Sequence, residues 1–263
     1  IFEISFKYLR SLGLFTDGRV GTTNGIPFPF GGGAEGFPFA FGGYTPSPIL
    51  ETLYDQNNDS IRKWWNVPRY KYSGDGNAAY VRTKLEPHYT PGKFRRWEPT
   101  ILSDWYTPGN LNNDPEPAEG AYESYTILEE GVITKNFTSI NFPVLRYADI
   151  LLMYAEAENK INGPTSLAIN ALDQVRQRAG LDLLLNAKPY IDGRQDLFFS
   201  EIVDERMREL CFEGLRKTDL IRWGLLEKKL DELEQAIRFD DDFNENNEYN
   251  IKKISVLKKI MDL

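Results

Sequence analysis

The stretch Glu205-Arg206-Met207-Arg208-Glu209-Leu210-Cys211-Phe212-Glu213-Gly214-Leu215-Arg216-Lys217-Thr218-Asp219-Leu220-Ile221-Arg222-Trp223-Gly224 decides how this chain is read. Phe199, Ile202, Val203, Met207, Leu210 and Cys211 recur at three- and four-residue spacing, the mark of one buried helical stripe. The pattern predicts two short helices meeting at Gly214, whose freedom to take positive φ ends a helix at low cost. Leu220 and Ile221 carry the second run, and Gly224 is placed to close it. The charges keep the same period. Glu205 and Glu209 lie one turn apart, among Arg206, Arg208, Glu213, Arg216, Asp219 and Arg222, so they can pair along and between the helices.

Upstream, Phe142 to Glu158 reads as another helix, with Asn141 as cap, Pro143 in the first turn and a stripe of Leu145, Ala148, Leu152 and Ala155. Gly163-Pro164 breaks it. Thr165 or Ser166 can cap the next helix, whose stripe of Ala168, Ala171, Leu172, Val175 and Ala179 ends at Gly180. Small apolar residues facing inward make the pair look like one tetratricopeptide-type hairpin. Leu225 to Ile237 is a further amphipathic helix, with Leu226, Leu230, Leu233 and Ile237 in step. The expected fold is therefore mainly α: tetratricopeptide-like hairpins joined to a long, loop-rich, irregular segment.

That segment is residues 1–141. It holds 16 of the 21 glycines and 12 of the 15 prolines, so breakers crowd the front while the back is helical. Ile1 to Arg10 reads as a strand or the last turn of a helix. Gly31 to Gly43 lacks the spacing of a phosphate loop and reads as an irregular loop pinned by buried Phe37, Phe39 and Phe41. Ser47 to Asp55 is a short helix begun near Pro46 and Pro48. Asn110 to Gly120 reads as an exposed loop, and Tyr122 to Phe137 holds a strand or hairpin edge. Asp240 to Asn250 is acidic and exposed, and Ile251 to Leu263 is a short terminal helix or strand.

Arg62 to Tyr106 is aromatic and polar together. Sugars present flat C–H faces ringed by hydroxyls, so a carbohydrate site needs aromatic platforms beside hydrogen-bonding side chains. Trp64, Trp65, Tyr72, Trp97, Trp105 and Tyr106 are the candidate platforms, and Asp75, Asn77, Arg82 and Arg96 the candidate polar partners, with Arg95 and Asp104 close by. The same rings can equally fill a core beneath long loops.

Net charge −8 and a pI near 5.0 oppose a nucleic-acid partner. One cysteine, Cys211, excludes an internal disulfide and reads as a buried structural thiol; one histidine, His88, argues against a multi-histidine metal site and a catalytic triad. No cofactor and no metal site are expected. Glu205, Glu209 and Glu213 share a helical face, as a glycosidase pair would, but the interleaved arginines lower carboxylate pKa values and point to structural pairing. Arg146, Asp149, Glu156 and Glu158 read the same way. Asp17, Asp55 and Asp59 lack the alternating oxygens of a calcium loop.

The wording of these motifs resembles the SusD/RagB family. Its signature reads Glu-Arg-x-x-Glu-Leu, Phe-Glu-Gly and Arg-x-x-Asp-Leu-x-Arg-Trp, matched here by Glu205, Arg206, Glu209, Leu210, Phe212, Glu213, Gly214, Arg216, Asp219, Leu220, Arg222 and Trp223. A second match is Phe142-Pro143-Val144-Leu145-Arg146-Tyr147-Ala148-Asp149-Ile150-Leu151-Leu152-Met153-Tyr154-Ala155-Glu156-Ala157-Glu158, with Ala171 to Gly180 between the two. The resemblance covers about Phe142 to Leu226. Family members commonly finish with Pro-Ile-Pro and Asn-Pro segments, which this tail lacks.

The resemblance implies a non-catalytic, surface-exposed lipoprotein of the Bacteroidetes outer membrane. It would capture a glycan, or a peptide as in the RagB branch, and deliver it to a SusC-like TonB-dependent transporter. It further implies that residues 1–263 are the C-terminal portion of such a domain (1–141 loop- and aromatic-rich, 142–239 helical, 240–263 tail), with the helical-repeat half and the N-terminal lipid anchor lying outside this chain. Family ligand contacts lie in variable loops, so none transfers onto the signature. Arg146, Tyr147, Glu156, Glu205, Arg206, Glu209, Glu213, Gly214, Arg216, Asp219, Arg222 and Trp223 are accordingly expected to be scaffold. A glycoside hydrolase and a purely structural adaptor are the alternatives from other classes.

Overall fold

The computed structural model describes residues 2–6, 8–9, 14–15, 18–28, 38–68, 70–72, 78–80, 91–99, 125–129 and 136–238. In chain order the front carries β1 (Phe2–Ile4), β2 (Tyr8–Leu9), β3 (Leu14–Phe15), α1 (Val20–Asn24), α2 (Pro48–Gln56), α3 (Ser60–Asn66), β4 (Tyr70–Tyr72), β5 (Ala78–Tyr80), β6 (Trp97–Pro99), β7 (Tyr125–Ile127) and β8 (Phe142–Leu145). The back is helical: α4 (Tyr147–Asn162), α5 (Ser166–Arg178), α6 (Leu184–Ala187), α7 (Gln195–Glu209), α8 (Arg216–Arg222) and α9 (Leu226–Arg238), with a 3-10 turn at Pro189–Ile191. The strands form four antiparallel pairs: β1 with β8, β2 with β3, β4 with β5 and β6 with β7.

The helical core follows from the apolar spacing. Ala148, Leu152 and Ala155 of α4 meet Ala168, Ala171, Leu172 and Val175 of α5, and Phe198 and Ile202 of α7 complete the cluster. The alanines let α4 and α5 approach closely, so the larger side chains of α7 close over them. Each buried Leu, Ile or Phe contributes roughly 1.5–3 kcal/mol. The hairpin turns at Gly163, whose φ of +82° only glycine adopts freely. Thr165 caps α5: its hydroxyl accepts from the Ala168 amide (3.3 Å) and donates to Glu158 (2.9 Å). Thr165→Ala is expected to cost about 1 kcal/mol, read as a lower urea midpoint with an unchanged slope.

Three expectations are corrected. Residues 142–145 are not the first turn of a helix but β8, paired with β1 in the register Phe2 to Leu145 and Ile4 to Phe142. Asn141 bridges to β1 instead of capping: its side-chain oxygen accepts from the Phe6 amide (2.9 Å) and its amide donates to Glu3 (2.9 Å). Helix α4 starts at Tyr147 after an extended Arg146, so Leu145 lies outside the buried stripe. The helix before Gly214 stops at Glu209, and the corner that follows turns through left-handed residues at both Phe212 (φ +65°) and Gly214 (φ +80°). Cys211 sits in that corner beyond the helix, its thiol pKa raised by burial and its sulfur 3.5 Å from the Tyr54 hydroxyl. Finally, Phe41 is not buried: it is 64% exposed and meets Phe39 edge-on at 4.7 Å, while Phe37 lies outside the described residues.

The Ser47–Asp55 expectation matches α2, with the Ser47 side chain accepting from the Leu50 amide and Pro48 at the first helical position. Tyr54 of α2 donates to the Arg208 carbonyl (2.8 Å) and accepts from Asn66 (2.8 Å), which joins α2 and α3 to α7.

Candidate functional site

Where the front segment meets α7, charged side chains are buried together. Arg62 of α3 donates to Asp59 (2.7 Å), Glu205 (2.6 Å) and Glu209 (3.0 Å). Arg208 binds Glu205 (2.5 Å) and Glu201 (2.7 Å). Arg146 grips Glu213 (2.8 Å) and pairs with Glu209, which Arg178 also reaches. A second set joins Arg206 to Asp149 (2.7 Å) and Asp219 (2.8 Å), and Arg222 and the Trp223 indole to Glu156.

These contacts set the acid chemistry. Burial pushes the Glu205 carboxyl up, but the guanidinium groups of Arg208 and Arg62 outweigh it and hold the pKa at about 2. Burial likewise opposes, and Arg146, Arg62 and Arg178 overcome, at Glu209, whose pKa is lowered. A general acid needs a raised pKa, and this pair has the reverse. Among the described residues no group of three or more His, Cys, Asp or Glu side chains is placed to hold a metal.

The aromatic residues divide. Trp97 and Arg96 are fully buried and serve the core: the Trp97 indole donates to the Ile26 carbonyl (3.2 Å) and meets Phe28 edge-on, and Arg96 pairs with Glu129 and donates to the carbonyls of Phe39 (2.6 Å) and Phe137 (3.0 Å). Neither can face a ligand, a correction that follows from their packing: Trp97, at the start of β6, lies against Ile26 and Phe28, and Arg96 is enclosed by Glu129 and the two carbonyls. Trp64 is half-buried on α3. Trp65 is 42% exposed, and the Arg95 guanidinium lies 4.1 Å from its ring centroid. Tyr72 is in β4, opposite Ala78 of β5. Asp75, Asn77, Arg82, Trp105 and Tyr106 lie outside the described residues, as do His88 and Asp104.

Arg95 holds its place by donating to the Gly92 carbonyl (3.1 Å) and to the carbonyls of Trp64 (3.1 Å) and Trp65. Composition offered Arg95 as one polar residue among several. Lys93, which binds the corner after α7, gave no signal, because a lone lysine beside a glycine has no period. A cleft of about 1040 Å³ also opens between α4, α7 and α8, lined by Glu156, Asn159, Phe199, Arg222 and Trp223. Its aromatic wall is the edge-on pair of Phe199 and Trp223, 5.7 Å apart.

The sequence model of the SusD family matches residues 52–261, which takes in α3, the buried ion pairs and every helix from α4 to α9. The chain belongs to the SusD family. Two SusD-like proteins of Formosa agariphila are similar to it: one is 41% identical over 97 residues (36% of this chain, 18% of that protein), the other 36% identical over 193 residues (59% and 38%). A crystal structure of a SusD homolog from Bacteroides thetaiotaomicron superposes with a TM-score of 0.62 at 22% identity, over 96% of this chain and 46% of that one, which shows the shared fold. This chain therefore spans less than half the length of these SusD-like relatives. Among the described residues no helix is long and apolar enough to cross a membrane.

Proposed function

We propose that this SusD-family chain is part of a non-catalytic, surface-exposed outer-membrane lipoprotein that captures a glycan and passes it to a SusC-like TonB-dependent transporter. The observation that carries the reading is the Trp65 ring, partly open to solvent and backed by the Arg95 guanidinium. A ring presented in this way offers one flat face for the C–H surface of a sugar. The arginine-held carboxylates of α7 support capture without bond cleavage. Binding would be weak per sugar ring, since hydroxyl desolvation offsets much of the gain.

The test is isothermal titration of the full-length protein against plant, host and microbial polysaccharides. Heat with one of them, and about tenfold weaker binding in Trp65→Ala, is the expected result. Equal affinity in Trp65→Ala would remove the observation on which the reading stands. Silence across the panel, with the protein folded, would replace glycan capture by peptide capture or transporter contact alone.

A further inference from the structure

We propose that Lys93 is a positioning residue for the exposed Trp65 ring. The residues around it form a short relay. Lys93 donates to the carbonyl of Glu209 (2.7 Å), the last residue of α7, and pairs with Glu213 in the corner that follows. A cation at the C-terminal end of a helix also meets the negative pole of its dipole. The turn is pressed onto the end of α3: the Gly92 amide donates to the Asn66 carbonyl (2.9 Å), and a Cβ at Gly92 would come 2.2 Å from the Trp65 carbonyl oxygen. Arg95, two residues on, then spans the Gly92, Trp64 and Trp65 carbonyls and covers one face of the Trp65 ring. Lys93 thus anchors the turn to α7, and the turn orients the ring. Its consequence for sugar affinity rests on the capture reading, whereas the orientation itself does not.

The experiment isolates one of five tryptophans by difference. Lys93→Gln and Lys93→Arg are made in the full-length protein and again in a Trp65→Phe background, and acrylamide quenching is compared within each pair. In Lys93→Gln the quenching constant of Trp65 is expected to rise about twofold, with thermal unfolding moved by only a few degrees. Lys93→Arg, which keeps the charge, restores the parent value. A Trp65 signal unchanged in Lys93→Gln, or raised equally in Lys93→Arg, overturns the proposal. Titration with the same polysaccharide panel is the second arm, where Lys93→Gln is expected to weaken binding about threefold. A panel without heat would sink the capture reading and leave the quenching result to decide the role of Lys93.

Discussion

Glu205→Ala is expected to destabilise the protein by about 3–5 kcal/mol, because it strips two buried guanidinium groups of the same partner. Glu205 has no exposed surface, and its oxygens hold Arg62 at 2.6 Å and Arg208 at 2.5 Å. Arg208 already carries Nε and Nη1 without a hydrogen-bond partner among the described residues, so Glu201 alone would remain to it. The effect depends on pH with a definite sign. The folded pKa of about 2 lies below the unfolded value near 4.3, so the stabilisation is fully present above the unfolded pKa and is lost as pH falls through the folded one. That difference is worth about 3 kcal/mol. Asp59 and Asp204 have the opposite sign, since burial raises their pKa values and they favour the folded state in acid. The comparison with Glu205→Gln isolates the one carboxyl: the gap in urea midpoint between parent and variant should be widest at pH 5–7 and narrow toward pH 2. A gap that stays constant would show that the carboxylate charge is not what stabilises the fold.

Phe198→Ala is the second large effect, about 3–5 kcal/mol. The ring is fully buried, on the face of α7 that closes over the alanines of α4 and α5. Those small side chains cannot move in to fill the space, so a cavity remains. The denaturation midpoint should drop while the slope holds. Phe199→Ala serves as control: that ring is only half-buried beside Trp223 and should cost markedly less.

How much of this was legible in the sequence depended on whether a signal was periodic. The stripe of Ala168, Ala171, Leu172 and Val175 repeats with the helix, and it is buried as a unit in α5. The charges of α7 repeat as well, which made pairing readable; their partners did not, because Arg62 and Arg146 are distant in sequence and no pattern names them. Residues 142–145 misled through Pro143, which suits a helical first turn and an edge strand alike. Phe212 was invisible as a left-handed residue, since only glycine advertises that conformation. In the aromatic segment, composition collected Trp65 and Trp97 together without ranking them. One lies on the outer face of α3 and the other against Phe28, a difference set by tertiary packing alone.

The buried charges also bear on the order in which the molecule assembles. Within the helical half, Asp173 binds the Leu184 amide across 11 residues and Arg208 binds Glu201 across 7. Arg62 reaches Glu205 across 143 residues and Glu209 across 147. Closing a loop of that length costs more chain entropy than closing the hairpin of α4 and α5, and local contacts form sooner. The helical half can therefore complete its own nucleus first, leaving Glu205 and Glu209 as a waiting acceptor. Capture of Arg62 then becomes a late step, one that together with the Tyr54 and Lys93 bonds to the end of α7 seats the segment bearing Trp65.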